Sequence, residues 1–218
     1  MSMSSQLRNI NDNFAVIASF PEMKNIPVII GESDPEGCAA CGMATNPENA
    51  YRNGTMYSSY SAASIAREYD LADFYGVNLI GAVNWSFEFE NQPWFAGFRD
   101  LATNGVDKPV LNVFRMLGMM TGSRVEVSGD LAYDFKSIRD SSVRGTRTDI
   151  NALASKDKNS ITILVWNYHG DDIIDAGSPV ELKIKGIPSK KQSLLTIGLT
   201  LFTAIPMKFG KRWARPKI

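Results

Sequence analysis

Two short apolar runs, Ile26-Pro-Val-Ile-Ile-Gly31 and Val77-Asn-Leu-Ile-Gly-Ala-Val-Asn-Trp85, constrain the fold of this chain more than any other feature. Runs of this length, rich in branched residues and stopped by polar ones, fit strands of a parallel sheet buried on both faces. Helical spacing surrounds them. Leu7, Ile10, Phe14, Ile17 and Ala18 recur three and four apart and predict a helix that ends before Pro21. Ala62, Ile65, Ala66, Tyr69 and Ala72 predict a second over Tyr57 to Tyr75, closed by Gly76, and Val110 to Met120 reads as a third. Strand, helix, strand, helix is the grammar of a parallel α/β sheet or barrel.

The grammar changes after Gly122. Ser123 to Val127, Asp149 to Ala154, Ser160 to Tyr168 and Pro179 to Lys185 are short alternating or β-branched runs divided by Gly, Asp, Asn and Lys turns. That pattern predicts an antiparallel β-sandwich. The expected fold class is therefore α/β followed by all-β, divided into residues 1–121 and 122–218.

Charge narrows the function. Lys and Arg number 23 and Asp and Glu also 23, a balance that argues against a generic nucleic-acid binder. The seven basic residues after Gly186 that close the chain, Lys190 to Lys217, meet no acidic one, so the preceding body is acidic. The apolar stretch Leu194 to Met207 is too short to span a bilayer, and no membrane partner is expected. The opening residues do not read as a secretory leader or an anchor. Two cysteines and one histidine argue against a disulfide scaffold and a multi-histidine metal centre, so neither metal nor cofactor is expected.

In parallel α/β folds the chemistry gathers at the C-terminal edges of strands. Glu32 follows the first apolar run directly, where a carboxylate is half out of water on a rigid element and can serve as nucleophile or acid/base. After the second run come Phe87-Glu-Phe-Glu90 and Asn91-Gln-Pro-Trp-Phe95; in an extended chain the rings and the carboxylates take opposite sides. Rings beside acceptors suit sugars, whose C–H faces stack while their hydroxyls need partners. Trp94, Phe95 and Phe98 fit a hydrophobic lid equally well. Cys38-Ala-Ala-Cys41 lies in a Gly-rich loop without the strand-to-helix setting of a redox motif, so free thiols are the default expectation there and a disulfide or redox pair the alternative. His169 is expected at a strand end with no catalytic role.

Several segments in order, Gly31-Glu-Ser-Asp-Pro-Glu-Gly-Cys-Ala-Ala-Cys41, Asn49-Ala-Tyr-Arg-Asn-Gly-Thr55, Phe87-Glu-Phe-Glu-Asn-Gln-Pro93, Leu101-Ala-Thr-Asn-Gly105 and Lys108-Pro-Val-Leu-Asn-Val-Phe-Arg115, resemble glycoside hydrolase family 39, the β-xylosidase-like group. The likeness implies a (β/α)8 TIM barrel with an accessory β-sandwich that hydrolyses β-xylosides or related glycosides with retention. It gives Glu32 the place of the nucleophile after strand seven, and Trp85 that of an aromatic on the floor of the site, with a cis Trp85–Ser86 bond. Glu88 becomes a contact to a substrate hydroxyl, with Trp94 beside it. The family's acid/base sits in an Asn-Glu-Pro motif after strand four, and this chain has none upstream of Glu32. A whole barrel takes roughly 250 residues. The chain is thus expected to be a C-terminal piece holding units seven and eight, inactive alone, with localisation and oligomeric state open. The alternative is a non-catalytic carbohydrate-binding or interaction protein of the same descent. Read one nucleotide earlier from Thr196, synonymous codons can encode a string resembling the family's sandwich, so 196–218 are expected to be out of frame.

Overall fold

Three helices make the frame that holds the strands. The computed structural model of the chain describes residues 2–171, 173, 177–186 and 195–198. Helix α1 (Met3–Ala18) buries Leu7, Ile10 and Phe14 of the stripe that its spacing predicts, together with Met3, while Ile17 is half-buried and Ala18 exposed at the helix end. Helix α2 (Thr55–Tyr75) is buried along most of its length, because its small residues, among them Ala62, Ala63, Ala66 and Ala72, let neighbours approach from several sides. It ends at Gly76. Helix α3 (Pro109–Gly118) opens with Pro109 at a position whose N–H would have no helical partner anyway, and it lies against α2.

Strands β1 (Val28–Ile30) and β2 (Leu79–Ala82) pair in parallel, with Val28 opposite Leu79 and Ile30 opposite Ala82. The pairing continues beyond both strands, as Val83 N–H donates to Ile30 at 3.0 Å and Ser33 N–H to Val83 at 2.9 Å. Val28, Ile30 and Leu79 pack on the helical core, whereas Ile29 and Ile80 on the same strands are 59% and 58% exposed. Burial on both faces is therefore corrected: among the described residues the helices cover one face only. Beyond β2 the chain runs without regular structure to a two-residue hairpin, β3 (Ala102–Thr103) and β4 (Val106–Asp107), with Asn104 and Gly105 at φ 46° and 77° in its turn.

After residue 121 the chain becomes antiparallel. Strands β5 (Ser123–Val125), β6 (Asp149–Lys156) and β7 (Ile161–Tyr168) form one sheet in the order β5-β6-β7. Asp149 faces Tyr168 and Lys156 faces Ile161 across the β6–β7 pair. Two expectations change here. The run 179–185 forms no strand, so a single three-stranded sheet stands, among the described residues, where a sandwich was expected. A short helix not anticipated from the sequence, α4 (Phe135–Ser141), starts at Asp134, whose carboxylate accepts from Ser137 N–H at 2.9 Å.

One hydrophobic core crosses residue 121. Leu164, Trp166 and Tyr168 of β7 join Tyr60, Ala63 and Ala66 of α2 and Ile138 of α4. Tyr60 and Tyr168 meet edge to face, 5.7 Å between centroids. Fully buried Asp149 ties the pieces together: it accepts from Trp166 Nε1 at 2.9 Å and Tyr133 N–H at 2.8 Å, and lies 3.4 Å from Arg67 of α2. Residues 199–218, most of the segment expected to be out of frame, lie outside the described residues.

Candidate active site

The continued pairing of β1 and β2 carries Glu32 out along the sheet edge, two residues past Ile30. Its side chain is 50% exposed, and Oε2 accepts from Arg99 Nη2 at 2.7 Å. Among the described residues Oε1 has no partner. Arg99 itself is 1% exposed and belongs to the loop before β3. Its Nε lies 3.3 Å from Asp34 Oδ2, its Nη1 donates to the Glu36 carbonyl, and its backbone N–H donates to Ala39 at 3.0 Å. One guanidinium thus holds the segment 32–36 at three points.

Asp34 links this segment to the end of β2. Its Oδ1 accepts from Tyr57 Oη at 2.9 Å and its Oδ2 from Trp85 N–H at 3.2 Å, while Asn84 Nδ2 donates to the same Tyr57 oxygen at 2.9 Å. Burial pushes the Asp34 carboxyl above its usual value, and Arg99, Tyr57 and the Trp85 amide oppose that rise. Burial, aided by the Asp34 charge, also raises the Tyr57 hydroxyl well above its ordinary value, so it remains a donor. Glu36 is committed elsewhere, accepting from Tyr51 Oη at 2.7 Å and Arg52 Nη2 at 2.9 Å.

The four residues expected in the site separate into two groups. Glu32 and Trp85 come together through Arg99 and Asp34, with the Trp85 indole partly exposed. The cis Trp85–Ser86 bond is corrected: all described peptides are trans, and the chain turns through Ser86 at φ 34° with its hydroxyl donating to the Glu88 carbonyl at 2.9 Å. Glu88 Oε1 accepts from Gly105 N–H at 2.8 Å, so this carboxylate braces the β3–β4 turn. It lines an open cavity of about 490 Å3 with Phe87, Phe89, Glu90, Asn91 and Asn104. Trp94 stands 60% exposed. Among the described residues no hydrogen bond or ion pair joins Glu88 or Trp94 to Glu32. The expected alternation over Phe87 to Glu90 is not realised, since the segment forms no strand; Phe89 packs edge-on against Phe98 at 5.4 Å while Phe87 stays exposed.

The loop after Glu32 is bound from within. Arg52 Nη1 donates to the carbonyls of Cys38 at 3.3 Å, Cys41 at 2.9 Å and Gly97 at 3.4 Å. Gathering the first two carbonyls brings the cysteine Cα atoms to 5.3 Å, within bridging range, and Cys38 and Cys41 form a disulfide. Free thiols, the default expectation from the loop setting, are thereby corrected in favour of the bridged alternative. This loop also presses on the segment that carries Arg99: Met43 N–H donates to Ala96 at 2.7 Å, and a Cβ at Gly42 would lie 2.4 Å from the Ala96 oxygen. At Gly97, φ 78°, it would meet the Asn49 oxygen at 2.9 Å. Phe95, strained at φ 48°, is pinned on both sides, its N–H donating to Thr103 and its carbonyl accepting from Asn53 Nδ2. His169 takes a structural place after β7, accepting from Asp171 N–H at Nδ1.

Arg99, Asp34, Tyr57 and Asn84 were not singled out from the sequence. Asp34 had the best available signal, standing two residues beyond Glu32 on the same strand edge. Arg99 had none, because its partners lie more than sixty residues upstream.

A half-exposed carboxylate with one oxygen held and the other open, at the C-terminal edge of a parallel strand, is equipped to attack an electrophilic carbon. Comparison with known proteins supplies the class of chemistry. The sequence matches the family described as glycosyl hydrolases family 39 over residues 2–199. No curated protein sequence and no solved structure matches it. That family implies a TIM-barrel-like domain and glycosidase activity on carbohydrate. The match covers nearly the whole chain, and the chain belongs to glycosyl hydrolases family 39.

Proposed function

We propose that this chain carries the nucleophile half of a retaining β-glycosidase of the β-xylosidase type, with Glu32 as the nucleophile. The observation that carries the reading is the grip of Arg99 on Glu32 Oε2, which leaves Oε1 open at the strand edge. Oε1 attacks the anomeric carbon, the glycosidic bond breaks, and a covalent glycosyl-enzyme forms. Arg99 and Asp34 act as positioning residues that fix Glu32 relative to Trp85, whose exposed ring suits the C–H face of a sugar.

Retention needs a second carboxyl roughly 5 Å away to protonate the leaving group. Among the described residues the nearby carboxylates are occupied, Asp34 by Tyr57 and the Trp85 amide and Glu36 by Tyr51 and Arg52. Among the described residues, therefore, the attack has its carboxylate and the protonation has none free to supply it. A fluorinated glycoside with a leaving group that needs no proton separates the two. Incubation with 2,4-dinitrophenyl 2-deoxy-2-fluoro-β-xyloside should release one dinitrophenolate per chain and leave an adduct on Glu32, absent in Glu32→Gln. A β-xyloside with an unactivated alkyl leaving group should not turn over. An adduct on another carboxylate, or release without an adduct, overturns the assignment. Trp85 and Trp94, both exposed, favour the second reading, a carbohydrate-binding protein without chemistry, if sugar binding persists unchanged in Glu32→Gln and no adduct forms.

The family match ends three residues past Thr196, which supports a change of reading frame there. The nucleotide sequence tests this directly.

A further inference from the structure

Ser33, between the two carboxylates that Arg99 holds, turns its own side chain into a buried polar cluster. Its hydroxyl donates to Glu68 Oε1 on α2, and Gln6 Nε2 of α1 donates to the same oxygen at 3.0 Å. Gln6 Nε2 also lies 3.0 Å from Ser33 Oγ, and Gln6 Oε1 accepts from Tyr60 Oη. Glu68 is 1% exposed, and its Oε2 is buried without a partner. Among the described residues no cation meets this carboxylate. Helix α1 offers the neutral Gln6, α2 offers Tyr60, β7 offers Tyr168 behind Tyr60, and the loop offers Asp34, which is itself acidic. Nothing in the nucleophile's own chemistry requires an acid at this position.

We infer that Glu68 is a proton-responsive positioning residue for Glu32, acting through the Ser33 hydroxyl. This rests on the reading of Glu32 as nucleophile. When Glu68 is ionised, Oε1 accepts from Ser33 O–H, and the loop is held from inside. A proton taken from solvent goes to Oε2, which has no partner, rather than to Oε1, which already accepts two hydrogen bonds; the charge is then lost, and the Ser33 O–H is held by a neutral carboxyl oxygen instead of a carboxylate. The main chain of Ser33 stays anchored by its bond to Val83, so the change falls on the side chains that flank it, Glu32 and Asp34. Burial first, and the Asp34 charge after it, push the Glu68 carboxyl up to about 7, so the switch lies in the neutral range.

The test follows the Ser33 and Glu32 backbone amides of the full chain by NMR from pH 5 to pH 9, in parallel with the rate of Glu32 labelling by the fluoroxyloside. Both amide signals should move in one step with a midpoint near pH 7, and the labelling rate should change over the same range. Glu68→Gln and Ser33→Ala should each abolish the step in the Glu32 signal and flatten the labelling profile. A step that survives in either variant overturns the inference, as does a wild-type Ser33 amide that does not move. Should labelling fail altogether, the reading of Glu32 falls, while the amide titration still decides the role of Glu68.

Discussion

Arg99→Ala is the most informative single change, because the structure assigns its three partners different energies. The pair with Glu32 involves a carboxylate that is 50% exposed, and such pairs contribute about 1 kcal/mol or less. The pair with Asp34 has both side chains 1% exposed, so removing the guanidinium strands a buried carboxylate, which costs about 3–5 kcal/mol. The bond to the Glu36 carbonyl adds about 1 kcal/mol. We expect Arg99→Ala to lower the unfolding free energy by about 5 kcal/mol, measured by urea denaturation at pH 7 with the fluorescence of buried Trp166 and far-UV circular dichroism as probes. A double-mutant cycle identifies the source. Combining Arg99→Ala with Asp34→Asn should recover about 2 kcal/mol relative to additivity, since the stranded charge is gone, whereas combining it with Glu32→Gln should be additive to about 0.5 kcal/mol. If Glu32 couples to Arg99 more strongly than Asp34 does, the energetic picture of the site is wrong.

Glu68 should leave a mark on stability as well as on the loop. A group raised from 4.5 to about 7 favours folding fully while the unfolded chain is also protonated, and loses that contribution as pH rises through 7. Relative to Glu68→Gln, the unfolding free energy should therefore fall by about 3 kcal/mol between pH 4 and pH 8; a flat difference would refute the burial argument. For the loop, thiol titration of the denatured, unreduced protein should find no free thiol at Cys38 or Cys41. Reduction should cost about 2 kcal/mol or less, as expected for so short a ring, and two titratable thiols before reduction would contradict the bridge.

The parts of the fold that announce themselves in the sequence are those built by local periodicity. Helices α1, α2 and α3 follow from apolar spacing, and β1 and β2 from unbroken branched runs, because the residues that bury them lie a few positions apart. Helix α4 spans seven residues and buries one apolar side chain, Ile138, so no stripe was there to read; its only local signal is the cap at Asp134. The β3–β4 hairpin did have a signal, the Asn104-Gly105 pair whose left-handed angles a two-residue turn requires, hidden within a stretch read for its aromatics. Strand 179–185 shows the opposite failure, an alternating pattern that forms no strand. At the proposed site, the position of Glu32 at a strand edge was legible. Arg99 was not, since a buried arginine in a loop is selected by partners that only the closed fold brings near. The disulfide was hidden for the same reason, Arg52 being what gathers its two ends.

The close approaches of Gly42 to the Ala96 carbonyl and of Gly97 to the Asn49 carbonyl have a bearing on how this site can diversify. The Glu32 loop and the Arg99 loop touch there through the Met43 N–H bond to the Ala96 carbonyl, with the Phe98 ring also packed against Gly42 and the Met43 side chain against Gly97. Substitutions at the exposed aromatics Phe87, Trp94 and Phe95 change the surface of the loop after β2 without adding a group at that contact. A single methyl group at position 42 or 97 would instead drive the two loops apart and carry Arg99 away from Glu32. The exposed aromatics are thus free to vary, while the approach of the two loops is constrained by two residues that have no side chain to vary.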